Sequence, residues 1–540
     1  MAESANIARH LPLMAARRPE QAAIKVPDGK RAGSSIRYLT LSYGELNLEV
    51  EAWMARFSDR GVRRGDRVLV MVRQGLPLIA SAFALFQLGA VPIIIDPGMG
   101  RKNFLSCVAS AQPRVLLGIP TAQILSRVFR PAFRSVEVRI WVSGSTTACA
   151  PANTLPIPDA ADTRPSELAA ILFTSGSTGA PKGVCYEHGM FDAQVRMIRE
   201  AYTIEPGEVD LPLLPIFALF APALGLTSVI PHFDPSRPGS LDPAHIVAAI
   251  RQENVTMSFG SPTLWRKIVD HCLARRVTLP SLRRVLCAGA PVPASLWDDA
   301  SKVIPNGRLH SPYGATEMLP VASVSSRDFE SRLGYGTLVG RPLPGNCVRI
   351  IRPVAGPITS IGSLVDAAPE EIGEIIATGP TTTKSYDARP EATAAAKILD
   401  GTLVWHRLGD AGRIDADGRL WFCGRLAERV ETANGVMDTE PCEQFFRDVV
   451  GVRRCALIGL GNPGRQEPAL VVEPTHPELA GRELAAALRE VARSNRLVTP
   501  IRKFFFHPSF PVDVRHNAKI HRLTLTRWAA TAKYWEPPDP

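Results

Sequence analysis

The chain has 540 residues, of which 45% are hydrophobic and 21% are charged, and its formal net charge is +10. This length predicts more than one domain, and the composition is typical of a soluble globular protein with a large core. No Lys/Arg-rich block accompanies the positive charge. The sequence therefore argues against nucleic-acid binding and favours small anionic substrates.

The nine cysteines are dispersed, and none belongs to a Cys-x-x-Cys pair. This spacing indicates neither a zinc site nor a disulfide framework, and reduced thiols predict a cytoplasmic protein. Residues 1–19 lack an apolar core long enough for a signal peptide and predict a short amphipathic helix. Residues 77–95 are about long enough to span a bilayer. Because Gly89 and Pro92 divide them, we predict a buried helix and a short strand, with no transmembrane segment.

Strand and helix signals alternate over residues 1–165. Helices are predicted over residues 43–60, 78–88 and 103–111, and strands over residues 68–72, 91–95 and 114–118. This alternation predicts an α/β protein in which helices cover layered, parallel sheets.

The next segment combines a predicted strand with a loop rich in hydroxyls and glycine. Residues 168–173 predict a buried strand, and residues 174–183 then alternate hydroxyl side chains with glycines before Lys182. Gly176 and Gly179 allow the backbone to turn tightly and to approach a ligand. The hydroxyl donors are Thr174, Ser175, Ser177 and Thr178. Such a nest suits a polyphosphate, but a proline precedes the lysine where the ordinary P-loop has Gly. A different type of phosphate loop is therefore predicted.

Further motifs follow along the chain. They are AGAPVP (residues 288–293), HSPYGATE (310–317), WHRLGDAG (405–412), LWFCGR (420–425) and RHNAKIHR (515–522). A carboxylate such as Glu317 suits Mg²⁺, which prefers carboxylate and phosphate oxygens. A carboxylate such as Asp410 can accept hydrogen bonds from the two vicinal hydroxyls of a ribose.

Together these motifs resemble the adenylate-forming superfamily, which includes acyl-CoA synthetases, luciferases and nonribosomal-peptide adenylation domains. The string TSGSTGAPKG is similar to its phosphate-binding signature, and the other motifs follow in the family's order over residues 170–522. The resemblance implies that a carboxylic acid and ATP react to give an acyl-AMP and pyrophosphate, with Mg²⁺ bound beside the phosphates.

The resemblance also implies roles for individual residues. The implied phosphate-loop residues are Thr174, Ser175, Gly176, Ser177, Thr178 and Gly179. The implied adenine and ribose contacts are Gly289, Ala290, Pro291 and Tyr313 for the base, and Asp410 and Arg425 for the ribose. The implied catalytic residues are Lys182, Thr316 on the α-phosphate, Glu317 on the metal, and Lys519 for adenylation. Ala518 stands where the family usually carries Gly.

The acyl pocket is expected in the apolar residues 211–230 and the segments that face them. Its implied residues are Phe217, Ala218, Gly260, Ser261 and Met318. Ala218 stands where many acyl-CoA ligases carry His, which counts against ordinary thioester chemistry.

The superfamily resemblance divides the chain into two domains. Residues 1–424 would form a large domain of layered sheets and helices, and residues 429–540 a small, mobile α+β lid that carries the adenylation lysine. The hinge is expected at residues 425–428, although Ala427 departs from the usual hinge residue. The lid would rotate between half-reactions.

Several strings resemble one group more closely, the β-lactone synthetases of bacterial long-chain olefin biosynthesis. Among them are FGSPTLW (259–265) and LWFCGRLAERVETANG (420–435). This resemblance implies a 2-alkyl-3-hydroxy fatty acid that is first adenylated and then closed to a β-lactone by its own 3-hydroxyl. His188 and His310 are candidates for the general base by side-chain type alone.

Two other functions are compatible with the superfamily resemblance. A long-chain acyl-CoA synthetase would use the same adenylation motifs. A non-catalytic nucleotide-binding scaffold would share the fold without the reaction. The olefin-pathway resemblance also implies assembly with a decarboxylase and a ketoreductase.

Overall fold

The computed structural model describes residues 5–32, 35–143, 156–174, 180–233, 238–512 and 520–538. Within these residues, two large sheets are separated by helices, and a smaller sheet follows near the end of the chain. The predicted α/β class is therefore confirmed.

The strands of the first 425 residues supply the two large sheets. In chain order they are β1 (Ala22–Ala32), β2 (Ser35–Ser42), β3 (Arg67–Met71), β4 (Val91–Ile94), β5 (Val115–Gly118), β6 (Val138–Trp141), β7 (Leu168–Thr174), β8 (Lys182–Glu187), β9 (Val209–Pro212), β10 (Thr227–Val229), β11 (Met257–Gly260), β12 (Arg284–Cys287), β13 (Arg308–Ala315), β14 (Met318–Ser325), β15 (Thr337–Pro342), β16 (Cys347–Ile351), β17 (Gly373–Thr378), β18 (Lys397–Asp400), β19 (Leu403–Ile414) and β20 (Leu420–Arg425).

The helices of the same region pack on both large sheets. They are α1 (His10–Arg17), α2 (Tyr43–Asp59), α3 (Leu76–Gln87), α4 (Arg101–Ala111), α5 (Pro120–Val128), α6 (His188–Tyr202), α7 (Ala221–Leu224), α8 (Pro243–Gln252), α9 (Pro262–Arg275), α10 (Ala294–Val303) and α11 (Pro390–Ala396).

The later elements begin after residue 429. The strands are β21 (Val430–Thr432), β22 (Gly435–Met437), β23 (Val452–Leu460), β24 (Glu467–Pro474), β25 (Lys503–Phe506) and β26 (Tyr534–Trp535), and the helices are α12 (Thr439–Glu443), α13 (Arg482–Arg493) and α14 (Arg522–Ala529).

The first large sheet has the strand order β6-β5-β3-β4-β7-β8. Its pairs are parallel except the last, because β8 runs back along β7. Thr174, the last residue of β7, and Lys182, the first of β8, are Cα partners. The sequence analysis placed Lys182 inside the phosphate loop, whereas the structure places it at the start of a strand, where pairing limits its backbone freedom.

The second large sheet has the strand order β2-β1-β10-β9-β11-β12-β13-β14-β15-β20-β19-β17-β16, and β18 pairs with β19. Strands β1, β10, β9, β11, β12 and β13 are mutually parallel. Their carboxyl ends therefore meet at one edge of the sheet, where α/β proteins usually bind ligands.

The core between the two sheets contains α3 and α6. One hydrophobic cluster joins Val70 of β3 and Leu85 of α3 to Met190 of α6, and continues to Met257 and Leu286 of the second sheet. Burial against two sheets explains why α3 is apolar around its whole circumference. Residues 77–95 thus form α3 and β4, as predicted, and within the described ranges no helix is long and apolar enough to cross a membrane.

The structure extends the sequence reading at the beginning of the chain. The predicted amphipathic helix is present as α1, preceded by a single 3-10 turn. The paired strands β1 and β2 were not predicted, because their exposed faces interrupt the apolar periodicity. Ser42 then caps α2 through a reciprocal capping box with Glu45, which is worth about 1 kcal/mol.

The last part of the chain has a separate core. Strands β23-β24-β25-β26 form one sheet, and α13 and α14 bury apolar residues on its two faces. Arg522 bridges Glu428 and Glu443 in a buried ion cluster, with Nη2 2.8 Å from Glu443 Oε2. The domain boundaries at residues 424 and 429 and the hinge between them remain predictions.

Gly340 allows the backbone of β15 to lie very close to that of β14, its neighbour in the sheet. This contact gives a test of the fold. The φ of Gly340 is +92°, and a Cβ there would overlap the carbonyl of Ser323. We expect Gly340→Ala to destabilise the protein by several kcal/mol, because the backbone of β14 must move. Gly356→Ala is the matched control, since its φ is +76° and a Cβ would meet open space. It should cost about 1–2 kcal/mol. Equal losses in chemical denaturation would contradict this account.

Candidate functional site

Several of the nucleotide residues predicted from the sequence lie at the carboxyl edge of the second sheet. The loop after β12 contains Gly289, Ala290 and Pro291, and Gly289 adopts a φ of +98°, which other residues rarely tolerate. Thr316 and Glu317 form the turn between β13 and β14. The structure therefore brings the predicted adenine loop and the predicted phosphate and metal residues to the same edge.

A carboxylate, a guanidinium and a phenol form one hydrogen-bonded group on neighbouring strands. Asp410 and Arg425 are Cα partners on β19 and β20, and Arg425 Nη1 lies 2.8 Å from Asp410 Oδ1. Tyr313 donates from Oη to Asp410 Oδ2 at 2.6 Å. Burial and the adjacent carboxylate hold the pKa of Tyr313 above its usual range, so the phenol stays protonated. The group offers a fixed carboxylate that suits vicinal hydroxyls.

Glu317 is held by a tyrosine that the sequence analysis did not predict. Tyr386 donates from Oη to Glu317 Oε1 at 2.7 Å. Lys182 Nζ lies 4.8 Å from the centroid of the same ring. Burial, and then the charge of Glu317, raise the pKa of Tyr386 beyond its usual range. One aromatic ring therefore sets the spacing between the predicted lysine and the predicted carboxylate.

A second lysine lies beneath this ring, and it too was missed. Lys397 is 6% exposed, and it donates from Nζ to Thr383 Oγ1 at 3.1 Å. Thr383 in turn donates from its N–H and Oγ1 to the carbonyl of Glu317 at 2.9 and 3.0 Å. Burial lowers the pKa of Lys397 to about 7, against the opposing charge of Glu317. Nothing in the local sequence around Lys397 separates it from a surface lysine.

Lys397 faces a buried histidine on the next strand. His406 is its Cα partner, and its Nδ1 lies 3.2 Å from the carbonyl oxygen of Ala396. Burial and the charge of Lys397 hold the pKa of His406 below its usual range. The imidazole is therefore neutral, and it adds no second charge beside the lysine.

The donor set around Glu317 fits a magnesium ion that is bound mainly by phosphate. In the part of the chain that the structure describes, no group of three or more His, Cys, Asp or Glu residues could form an all-protein metal cage. Mg²⁺ is commonly held by one or two carboxylates together with substrate phosphates and water. Glu317 is only partly buried, and Tyr386 donates to its Oε1, so a metal contact would use Oε2.

Part of the predicted phosphate machinery lies outside the described residues. These are Ser175, Gly176, Ser177, Thr178, Gly179 and Lys519. The two ends of the phosphate loop are described, and the pairing of Thr174 with Lys182 holds them side by side. The carbonyl of Thr316 accepts a hydrogen bond from Tyr186 Oη on β8, so the loop and the turn belong to one connected edge.

An apolar cavity of about 50 Å³ lies beside this edge, between α6 and the strands β9, β11, β12 and β13. Phe217 lines it, and its ring centroid lies 4.0 Å from that of Phe259. Phe220 and Leu224 also line it. The enclosed space is smaller than the roughly 300 Å³ or more of a typical small-molecule pocket.

The other four predicted acyl-pocket residues are not among those that line this cavity. Ala218 is buried in the core between the sheets. A Cβ on Gly260 would meet Leu213 and Trp265. The side chain of Ser261 caps α9, and Met318 accepts at Sδ from Thr382 Oγ1. Each has a packing or capping role that its position in the sequence did not reveal.

The two histidines considered as general bases occupy different environments. His188 is 1% exposed and packs edge-on to Phe86 at 6.3 Å. His310 lies edge-on to Tyr202, 5.3 Å between ring centroids. Burial lowers the pKa of each to about 4, so both are neutral at physiological pH. Neither lines the cavity, and the general base stays unassigned.

The cavity wall contains one carboxyl group, that of Asp210 on β9. The residue is 4% exposed, and its Oδ1 has no hydrogen-bond partner among the described residues. Burial raises its pKa to about 8, and a backbone hydrogen bond at Leu211 opposes this only in part. The one signal in the sequence was an aspartate inside the apolar run VDLPLLP.

Comparison with known proteins agrees with this geometry. A family model described as AMP-binding enzyme matches residues 14–387. Olefin beta-lactone synthetase from Stenotrophomonas maltophilia is 44% identical, covering 97% of this chain and 98% of that protein. The protein of the same name from Xanthomonas campestris pv. campestris is 43% identical, with 97% of each chain covered.

The chain belongs to the AMP-binding enzyme family. The structure of amide bond synthetase McbA from Marinactinospora thermotolerans has the same fold, with a TM-score of 0.80, 23% identity, and coverage of 97% of this chain and 99% of that one. This AMP-binding enzyme is therefore an adenylate-forming ligase, as the motifs predicted, and ATP is its nucleotide substrate.

The carboxyl of Asp210 makes stability depend on pH. An aspartate in an unfolded chain has a pKa near 4, whereas burial raises that of Asp210 to about 8. The folded enzyme therefore keeps a proton that the unfolded chain releases. As the pH rises from about 4 to about 8, the free energy of unfolding of the enzyme should therefore fall by about 1.4 kcal/mol per pH unit.

We expect Asp210→Asn to remove this dependence. In thermal unfolding measured from pH 5 to 9, the free energy of unfolding of the Asn variant minus that of the parent should increase up to about pH 8. Above that pH the difference should stay constant. The nearby ionisable groups are Glu208 and Arg284, which pair with each other, and Tyr202 and His310. They are common to both proteins and cancel in the difference. Parallel curves would show that the carboxyl is not buried as described.

Lys397 should support adenylation through Thr383 and Tyr386. We expect Lys397→Met to slow ATP–pyrophosphate exchange by about tenfold, because a hydrogen bond from a charged donor is worth roughly 1.5 kcal/mol or more. Lys384→Met is the matched control. Lys384 follows Thr383 directly in the chain, but its side chain is half exposed, and its Nζ lies 2.8 Å from Glu187 Oε2. Equal exchange rates in the two variants would refute a supporting role for Lys397.

Proposed function

We propose that this enzyme is an ATP-dependent β-lactone synthetase acting on a 2-alkyl-3-hydroxy long-chain fatty acid. The observation that carries the proposal is the 44% identity over 97% of the chain to a protein named olefin beta-lactone synthetase. The arrangement of the site supports it, because the group of Tyr313, Asp410 and Arg425 lies at the same edge as Glu317, beside an apolar cavity.

The first half-reaction forms the acyl adenylate. A carboxylate oxygen of the acid attacks the α-phosphorus of ATP, and the bond to pyrophosphate breaks. Asp410 and Arg425 would hold the ribose, Gly289, Ala290 and Pro291 the adenine, and Lys182 and Thr316 the phosphates. Mg²⁺ bound by Glu317 would neutralise charge as pyrophosphate leaves. Lys519 is expected to stabilise the same developing charge.

The second half-reaction closes the ring. The 3-hydroxyl oxygen attacks the activated carbonyl carbon, the bond from that carbon to the AMP phosphate oxygen breaks, and the hydroxyl proton passes to the departing phosphate or to water. Because nucleophile and carbonyl belong to one molecule, holding the chain in a bent conformation provides an entropic advantage. Ala218 stands where many acyl-CoA ligases carry His. This departure supports ring closure over thioester formation.

The test is incubation of the purified enzyme with ATP, Mg²⁺ and a synthetic 2-alkyl-3-hydroxy fatty acid, with and without CoA. We expect a β-lactone and an equal amount of AMP by proton NMR, independent of CoA. The acid without its 3-hydroxyl is the matched control and should support pyrophosphate exchange but give no lactone. An acyl-CoA formed only with CoA would instead identify a long-chain acyl-CoA synthetase.

Lys519→Ala separates an enzyme from a nucleotide-binding scaffold. If the protein is either kind of enzyme, the parent forms AMP and the Lys519→Ala variant does not. If it is a scaffold, neither the parent nor the variant forms AMP. Assembly with an olefin-pathway decarboxylase and ketoreductase remains a prediction of the proposed function, and recovery of neither protein with the enzyme from native lysate would count against it.

A further inference from the structure

The outer side of the first sheet carries a strong excess of basic side chains. Residues 97–143 contain seven arginines and lysines but a single acidic residue, Glu137. Glu137 pairs with Arg114 at 2.9 Å, and Asp66 pairs with the same arginine at 2.6 Å. The other six basic side chains have no carboxylate partner among the residues that the structure describes. We call these six the basic layer: Arg101, Lys102, Arg127, Arg130, Arg134 and Arg139.

The fold gathers the basic layer on the side of the first sheet that faces away from the second sheet. Leu69 of β3 packs on that side with Phe104 of α4, whereas its neighbour Val70 packs with α3 in the core between the sheets. Cζ of Arg101, at the start of α4, lies 5.8 Å from the ring centroid of Phe129, which directly follows α5. Helices α4 and α5 therefore belong to one outer layer of positive charge.

Helix α5 exposes apolar side chains within this basic layer. Ile124 is 58% exposed and Val128 is 66% exposed, and residues four apart lie on one face of a helix. Trp141, at the end of the edge strand β6, is 44% exposed. Arg127 connects the two elements, because its Cζ lies 5.5 Å from the centroid of the Trp141 ring. We call Ile124, Arg127, Val128 and Trp141 the α5 surface.

This combination of side chains suits the boundary between water and an anionic bilayer. Tryptophan and aliphatic side chains enter that boundary, and arginines beside them bind the lipid phosphates. A nucleic acid would pair with the arginines but leave Ile124 and Val128 in water. A stable protein interface uses about 20–30 residues from each partner, whereas the α5 surface has three apolar ones. Addition of a strand to β6 is hindered, because Arg56 donates to the carbonyl of Trp141 at 2.8 Å.

The α5 surface begins at the edge of the first sheet where the phosphate loop also begins. Strand β5 ends at Gly118, just before α5, and β7 ends at Thr174, just before the loop. The strands β5, β3, β4 and β7 are parallel neighbours, so these two ends lie at the same edge. They are about 15 Å apart across the sheet. A membrane bound by α5 would therefore lie close to the phosphate edge.

We propose that the α5 surface attaches the enzyme reversibly to membranes that contain anionic lipid. The basic layer attracts the negatively charged surface, and Ile124, Val128 and Trp141 enter the outer part of the acyl-chain region. The inference goes beyond the proposed function and stands without it, because it rests on the outer side of the first sheet alone.

The test is co-sedimentation of the full chain with lipid vesicles, which needs neither ATP nor an acid substrate. One set of vesicles contains phosphatidylglycerol and phosphatidylcholine, and the other contains phosphatidylcholine alone. We expect binding to the first set at low salt, little binding to the second, and release from the first at high salt, because salt screens the attraction. Thermal unfolding of each variant below confirms that it is folded.

The apolar part of the surface is tested by Ile124→Ser combined with Val128→Ser. We expect this variant to bind the anionic vesicles about tenfold more weakly, because two aliphatic side chains no longer leave water. The matched control combines Val365→Ser with Leu399→Ser, since those side chains are 57% and 67% exposed and lie outside the surface. The control should bind as the parent does.

The basic part is tested by Arg130→Gln combined with Arg134→Gln. We expect binding to fall by about 10- to 30-fold at low salt, because each arginine near the bilayer contributes to the attraction. Its control combines Arg482→Gln with Arg496→Gln, which removes the same charge from exposed positions late in the chain. With brominated lipid in the vesicles, tryptophan quenching in the parent should be largely lost in Trp141→Phe.

Three results overturn the inference. The first is that the parent does not bind the anionic vesicles at low salt. The second is that each variant and its matched control bind equally, which would mean that net charge alone attracts the protein. The third is that the Ile124 and Val128 variant binds vesicles as the parent does but changes the molecular mass in solution, which would identify a contact between copies of the chain. Failure to form a β-lactone would count against the proposed function and leave this result unaffected.

Discussion

Residues 383–387 connect the two large sheets, and the geometry of the phosphate edge depends on that connection. Ser385 and Asp387 pair with β8 through backbone hydrogen bonds, and Arg67 of β3 holds Asp387 with two side-chain bonds of 2.7 and 3.1 Å. The same segment supplies the contacts of Thr383 and Tyr386 to Glu317. Lys182 from one sheet and Glu317 from the other therefore meet on one ring. Neither sheet alone could set that distance, because the two residues belong to different layers.

Burial controls charge throughout this region. Lys397 and His406 have lowered pKa values, and Tyr313 has a raised one, each mainly through loss of water. The groups that would contact a polyanion at neutral pH are thus few, and they lie at the exposed edge. A low-polarity surrounding strengthens each remaining charge–charge interaction. Asp210 follows the same rule inside the apolar cavity, where burial raises its pKa and favours the uncharged carboxyl.

Local sequence explains the fold well where a pattern needs only neighbours along the chain. The helices α2, α3 and α4 and the strands β3, β4 and β7 lie within a few residues of their predicted positions, because apolar periodicity and capping are local signals. The pairing of β1 with β10, separated by about 200 residues, has no such signal. The apolar cavity also depends on distant elements. Of the five residues predicted for an acyl pocket, Phe217 lines this cavity, and the other four occupy packing or capping positions.

The sequence by itself determined the superfamily and the order of the motifs. It also predicted roles for Asp410, Arg425, Tyr313, Glu317 and Lys182, because their chemistry is tied to short strings. Only the tertiary structure decided that Tyr386 contacts Glu317 and lies near Lys397, and that Asp210 Oδ1 has no hydrogen-bond partner among the described residues. The physical reason is that burial, hydrogen-bond partners and pKa depend on which distant segments exclude water from a side chain. A tyrosine, a lysine or an aspartate gains its role here from segments that lie far from it in the chain.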